Sequence, residues 1–524
     1  MNYINLLSER RRLMKIKYLL FASVAFAGFT LSAKDMNPIT KAMLDGYESL
    51  LKENPDDYMT LYERASQYYR LDDYDKALSD IKRAVACTPA GDKGQLASEY
   101  SLLTDIYIQT GQYPEALMSV DKALALTPDS YSLLYMKGNV CLHLNQPEAA
   151  KESFSAMQRL NSRSQEAIFG LARVAAMEGR KDVALKYIED AAKMAPSDYL
   201  TYCRVGDLHR ELDMPQDAAA DYLSAFSLTD KSDRPLSSLI SLAKENYAAV
   251  DNAIDYAIGR TPNVVPLYFL QGNAALAAGQ YEDAYNAYRQ LLASVTESDA
   301  NSLNASMAKI CLHRGDIVEA DVYASKAMSA NPDDLQTYLV KADIERVRGN
   351  YPSARMYADA ALRLEPNSGD ALKSAALAAY GSGDYNMAIT LLNEAVMNNA
   401  EDADALLLRG YVQETFLGNK TAALADFSRV ASLNTETNDE IARKAMAQLK
   451  AGMSLDASAT IAPVNVSAGT NGRDAYLMAL YNLASDNEAE AQKMLKQAVD
   501  LGFNDHYLLD FYDFPLYSVR GLLK

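Results

Sequence analysis

Four histidines and four cysteines are the residues of this 524-residue chain best suited to metal or nucleophilic chemistry, and their spacing decides what they can do. Cys141 and His143 stand two apart, as do Cys311 and His313, so each pair looks like half of a metal site. The repeat described below puts both pairs at matching slots five repeats apart, where they pack and cannot share an ion. His209 and His506 stand alone. There is no phosphate loop, no Cys-x-x-Cys, no His-Glu-x-x-His and no nucleophile elbow. The carboxylate pairs Asp72 and Asp73, and Asp333 and Asp334, precede helical stretches and read as helix caps. No catalytic, cofactor-binding or metal-binding residue follows from these patterns, and the chain is not predicted to be an enzyme.

Composition bounds the architecture that must hold these residues. At 49% hydrophobic, with 35 Tyr, 12 Phe and no Trp, the chain has more apolar material than one compact core uses. It must be several domains or one long array. Abundant Ala and Leu with sparse Pro and Gly favour helix over sheet.

The first 33 residues read as a secretory leader. Lys15 and Lys17 precede an apolar stretch over 18–31, which ends at Ser32 and Ala33 with Lys34 and Asp35 behind it. The stretch is shorter than the ~18 to 20 residues that cross a bilayer, so cleavage after Ala33 is expected, and no later segment is apolar enough to span. Arg10, Arg11 and Arg12 lie ahead of Met14, which is the better start. Removing residues 1–33 takes away five basic residues and Glu9, leaving 46 basic against 68 acidic. Such a chain is a poor partner for nucleic acid. The four cysteines are at least 54 residues apart, and at least three are expected to be free thiols packed as small apolar groups.

Internal periodicity carries the fold. Pro55 and Pro89 are 34 apart, as are Pro332 and Pro366, while Pro128 and Pro196 are two such periods apart. Twelve and five residues before these points stand Ala77 and Ala84, Ala116 and Ala123, Ala184 and Ala191, Ala320 and Ala327, Ala354 and Ala361, and Ala388 and Ala395. Seventeen before them recur Gly111, Gly179, Gly279, Gly315, Gly349, Gly383 and Gly418, with Asp72, Asn145 and Asp213 filling the slot elsewhere. These residue types tolerate the left-handed backbone that ends one helix and opens a tight turn. Each repeat is therefore helix, turn, helix and a closing Pro, with small residues where the two helices cross.

The stretches GQYPEALMSVDKALALTP and GNYPSARMYADAALRLEP resemble the second half of the tetratricopeptide repeat, with the Trp of its first helix replaced by Tyr, Leu or Ile. The resemblance covers about residues 56–435. It implies an all-α solenoid, a right-handed superhelix of antiparallel helix pairs, whose concave wall is built from first helices and commonly holds peptides. On that wall the resemblance places Asp105, Asn139, Arg173, Asp207, Asn273, Lys309 and Asp343, with Tyr135, Phe169 and Phe269 one turn away as aromatic footholds. The Lys and Asn pattern with which some members clamp chaperone tails is missing.

The expected organisation is a leader over 1–33, an N-terminal helical cap over 34–55 and a first block of repeats over 56–230. A degenerate repeat that could act as a joint covers 231–262, and a second block covers 263–435. A helix over 436–451, a flexible linker over 452–472 and a repeat-like cap over 473–524 complete the chain. The function these features imply is that of an exported scaffold binding a protein or peptide along its concave groove, within a cell-envelope assembly. An envelope glycan or other small ligand is the alternative. The sequence assigns no cofactor and no oligomeric state.

Overall fold

A computed structural model describes residues 38–510 apart from 230, 231, 297–299, 301, 302 and 436. The expected leader lies outside the described residues, as do Phe511, Tyr512 and Phe514 of the expected cap. Among the described residues there are 28 helices and no strand. They are arranged in antiparallel pairs such as Tyr58–Arg70 with Tyr74–Cys87, and Leu335–Val347 with Tyr351–Leu364. Two compact bodies divide the chain between Leu242 and Ala243. The division falls in the helix Arg234–Glu245, inside the segment that departs from the repeat pattern.

The recurring small residues do what the spacing predicts. Each of the paired alanines, from Ala77 and Ala84 to Ala388 and Ala395, is at most 4% exposed at the crossing of its two helices. The glycines of the turn slot, together with Asp72, Asn145 and Asp213, all have φ between 55° and 82°. Asp73 and Asp334 cap the following helices, accepting from the Lys76 and Thr337 amides at 3.3 and 2.9 Å. The large residue between the alanines acts as a wedge. A Cβ on Gly138 would come within 2.5 Å of the Phe154 ring, and one on Gly170 of the next repeat within 2.4 Å. One phenyl ring thus fixes the spacing of two successive first helices, and any larger side chain at either glycine would force them apart.

In the N-terminal body, five pairs follow the helix Pro38–Glu53, ending with Tyr199–Glu211 and Pro215–Leu228. In the C-terminal body the pairs run past the point where the composition predicts a flexible linker. Residues 452–472 instead hold the helix Ser454–Ser467, packed on Asn438–Lys450. Ala457, Ile461, Val464 and Ala468 recur every three or four residues and are all buried, which stabilises a helix despite the internal Pro463. Gly452 has φ 79° and Asp486 has φ 55°, so the turn slot continues at the same period after Gly418. The expected linker and the start of the expected cap are two further repeats, closed by Gly472–Ala484 and Glu488–Asp500.

Candidate functional site

First helices of successive repeats pack on one another throughout the N-terminal body and at several steps of the C-terminal body, so equivalent residues line up in columns along one wall of each. In the N-terminal body, Arg173 pairs with Glu211 of the next first helix, its Nε 3.0 Å from Oε1. The hydrogen bond to Glu211, with the nearby Asp207 and Tyr135, holds the Arg173 guanidinium above its usual range. Asp207 accepts from the Tyr222 hydroxyl at 2.8 Å and from Arg234 at 3.0 Å. Tyr135 is 39% exposed. Asn139 is half-buried beside it in the same helix. Asp105 is half-buried without a hydrogen bond or ion pair to another described residue, and burial pushes its carboxyl up to about 6.

Two of the expected footholds are core residues. Phe169 is buried among Ile168, Ala172, Ile188 and Val205, with the Arg204 guanidinium 5.7 Å from its ring. Phe269 is buried against Tyr288, Leu291 and Met307. Both point between consecutive first helices, because a slot one turn from the wall already faces the neighbouring repeat. Asn273 donates to the Phe269 carbonyl at 2.7 Å, so its amide is engaged within its own helix.

The C-terminal body brings Lys309 and Asp343 to the rim of a cavity of about 520 Å³. Most of its lining comes from six successive first helices, Asn304–His313 through Gly472–Ala484, and Tyr281, Asp505 and Leu508 complete it. One column is Gln336, Asp370, Asp404, Asp439 and Arg473, and another, one turn on, is Val340, Ser374, Leu408, Arg443 and Leu477. Leu339, Leu377, Leu407 and Leu480 complete an apolar floor. The charges beside that floor pair with each other across repeats. Lys373 Nζ lies 3.0 Å from Asp402, Arg443 Nε 2.6 Å from Asp404, and the Arg473 guanidinium holds Asp439 with two contacts of 2.7 and 3.0 Å.

These pairs set the protonation of the wall. Burial opposes the charge on Lys373, but Asp402, Asp370 and Asp404 outweigh it and hold the ammonium above its ordinary range. Burial likewise pushes Asp439 up, and Arg473 and Arg443 overcome it, so the carboxyl sits below its ordinary range. The wall therefore stays charged at neutral pH, and the half-buried Leu339 and Leu377 are the apolar surface it leaves beside those charges. These columns lie outside the slot of Asp343 on which the resemblance places its wall residues, although the one-repeat spacing of Asp370 and Asp404 is visible in the sequence.

The Cys and His doublets show equivalent packing. His143 stacks on Tyr113 at 4.4 Å and His313 on Tyr281 at 4.5 Å, while Cys141 and Cys311 are buried. All four cysteines are free thiols, and burial pushes Cys203 up to about 11 and Cys311 up to about 12, which keeps both unreactive. Among the described residues no group of three or more His, Cys, Asp or Glu is placed to hold a metal ion, and no helix is long and apolar enough to cross a membrane.

A family model described as tetratricopeptide repeat matches residues 103–162, 142–199, 269–334, 339–397 and 373–436. A TPR repeat-containing protein of Methanocaldococcus jannaschii is 25% identical over 252 residues, which is 46% of this chain. The chain spans 38% of the length of that relative. Among solved structures, a tetratricopeptide repeat protein from Parabacteroides merdae is 17% identical, covering 49% of this chain and 88% of its own, with a TM-score of 0.36. Yeast Tom70 is 15% identical, covering 78% and 96% respectively, with a TM-score of 0.38. With the family's Gly, Ala and Pro slots each serving the turn, the crossing and the stop they are named for, this chain belongs to the tetratricopeptide-repeat proteins.

Proposed function

We propose that the chain is an exported scaffold of a cell-envelope assembly, and that the wall of its C-terminal body receives a segment of a partner protein. The observation that carries this is the cavity whose leucine floor is flanked by charges already paired within the protein. Such a floor gains little from a free ion and much from apolar side chains, which suits a peptide better than a glycan. Export rests on the leader-like residues 1–33 and the acidic balance of the remainder. Scaffolding agrees with the tetratricopeptide-repeat fold, which serves protein–protein interaction.

Leu339 and Leu377 are half-buried on the floor and belong to adjacent first helices. A foothold desolvated on binding is worth ~2 kcal/mol or more. The double variant Leu339→Ala, Leu377→Ala is therefore expected to weaken partner capture at least tenfold while the helical signal is unchanged. Undiminished capture by a folded double variant would move the binding surface elsewhere.

A further inference from the structure

The helix Ser454–Ser467 carries the two most exposed large apolar side chains among the described residues, Leu455 at 89% and Val466 at 82%. The eleven positions between them make about three helical turns, so both lie on one face, with Ala459 and Ala462 between them on the same stripe. All four are exposed. On the opposite face Ala457, Ile461 and Val464 are buried, the last two in the core that this repeat shares with Asn438–Lys450 and Gly472–Ala484. The helix is therefore apolar on two sides. Other second helices turn charge outward, as Lys181–Met194 does with Lys186, Glu189 and Asp190. Asp456 is the one charged residue of Ser454–Ser467.

The chemistry of this face fits a second copy of the chain. Each copy carries a formal net charge of −18, so two copies repel one another except where they meet over few carboxylates. An ion or a glycan finds no hydrogen-bonding side chain on Leu, Ala, Ala and Val. The spacings along the stripe are four, three and four, an order that reads the same in both directions. A second copy running antiparallel about a two-fold axis sets Leu455 against the partner's Val466 and Ala459 against the partner's Ala462, and repeats both contacts by symmetry. The small residues at the centre let the helix axes approach to about 8 Å. The antiparallel sense opposes the two helix dipoles. It also keeps the two Asp456 carboxylates about 14 Å apart along the helices, beyond the ~8 Å screening length at physiological salt.

We propose that the outer face of Ser454–Ser467 is a homodimer interface, in which two copies meet in antiparallel register through Leu455, Ala459, Ala462 and Val466. One helix face falls short of the ~800 Å² per partner of a stable complex, so the dimer is weak, with a Kd of about 10–100 µM. The face belongs to a second helix, so pairing leaves the wall of first helices uncovered. The dimer then presents that wall twice, which strengthens capture of any partner carrying two matching segments.

Sedimentation velocity of the full chain over about 1–200 µM tests the proposal, with wild type expected to pass from monomer to dimer across that range. Leu455→Glu with Val466→Glu should weaken association at least tenfold while the helical signal and melting temperature stay unchanged, because both side chains are exposed in the monomer. Register is read with Ala459→Cys and Ala462→Cys on separate chains under mild oxidation. Their equimolar mixture should form disulfide dimers at least threefold faster than either variant alone, since only the mixture brings two thiols directly opposite, within the ~4.4–6.8 Å Cα separation of a disulfide. Wild type, in which Cys141, Cys203 and Cys311 are buried, supplies the background rate. A wild type that stays monomeric throughout overturns the proposal, as does association undiminished by the two glutamates. Equal crosslinking by one Cys variant alone overturns the antiparallel register. If the glutamate variant loses its helical signal, the disulfide rates decide, because the Cys variants keep the face uncharged.

Discussion

Asp105 shows how one side chain on the wall can be costly to the fold and useful at the surface. Its carboxyl titrates at about 6 because burial disfavours the charge. A carboxyl whose folded value is raised contributes nothing below both values, and stability is lost as the pH rises from the unfolded value of ~3.9 through about 6. The full difference is at most ~3 kcal/mol, and the solvent-facing edge of the group reduces it to about 1 kcal/mol. Asp105→Asn is expected to raise the melting temperature by about 2–4 °C at pH 7.5, with less than half that gain at pH 4.5. An equal gain at both pH values, or none, would show that the carboxylate is not desolvated. The position of Asp105 on a wall was legible from the resemblance, but its burial beside Tyr69 of the preceding repeat depends on how repeats stack, which no single repeat specifies.

Within single repeats, charge pairs lock the two helices at the same slot of distant copies. Arg64 holds Asp80 with contacts of 2.6 and 2.7 Å, and Arg409 holds Asp426 with contacts of 2.9 and 2.5 Å. Asp80 and Asp426 are each buried, so neither charge can be left alone cheaply. Asp80→Ala is expected to cost about 3 kcal/mol in denaturant unfolding of the N-terminal body, whereas Arg64→Met with Asp80→Leu should cost far less. Equal losses in the two variants would mean that packing, and not the stranded guanidinium, sets the penalty. Turns, crossings and stops were legible because Gly, Ala and Pro each answer a local steric demand at a fixed offset. The helix Ser454–Ser467 was missed because its uncharged composition and Pro463 outweighed the weaker signal of Gly452, one period after Gly418. The approach of Asp505 to Tyr281 and His313 could not be read at all, since it depends on the summed rotation of several repeats.

At the scale of the whole molecule, first helices placed side by side turn a 34-residue pattern into two walls, one in each body. The N-terminal wall keeps Tyr135 exposed beside paired charges, and the C-terminal wall encloses a leucine-floored cavity. The most direct measurement of whether these walls hold a partner is photo-crosslinking in the native host, with the reactive side chain at Gln336 or Lys309 on the cavity wall or at Met397, 80% exposed on a second helix. The account predicts a discrete crosslinked protein in the envelope fraction from Gln336 and Lys309, and none from Met397. Crosslinks from Met397 with none from the two wall positions would contradict it.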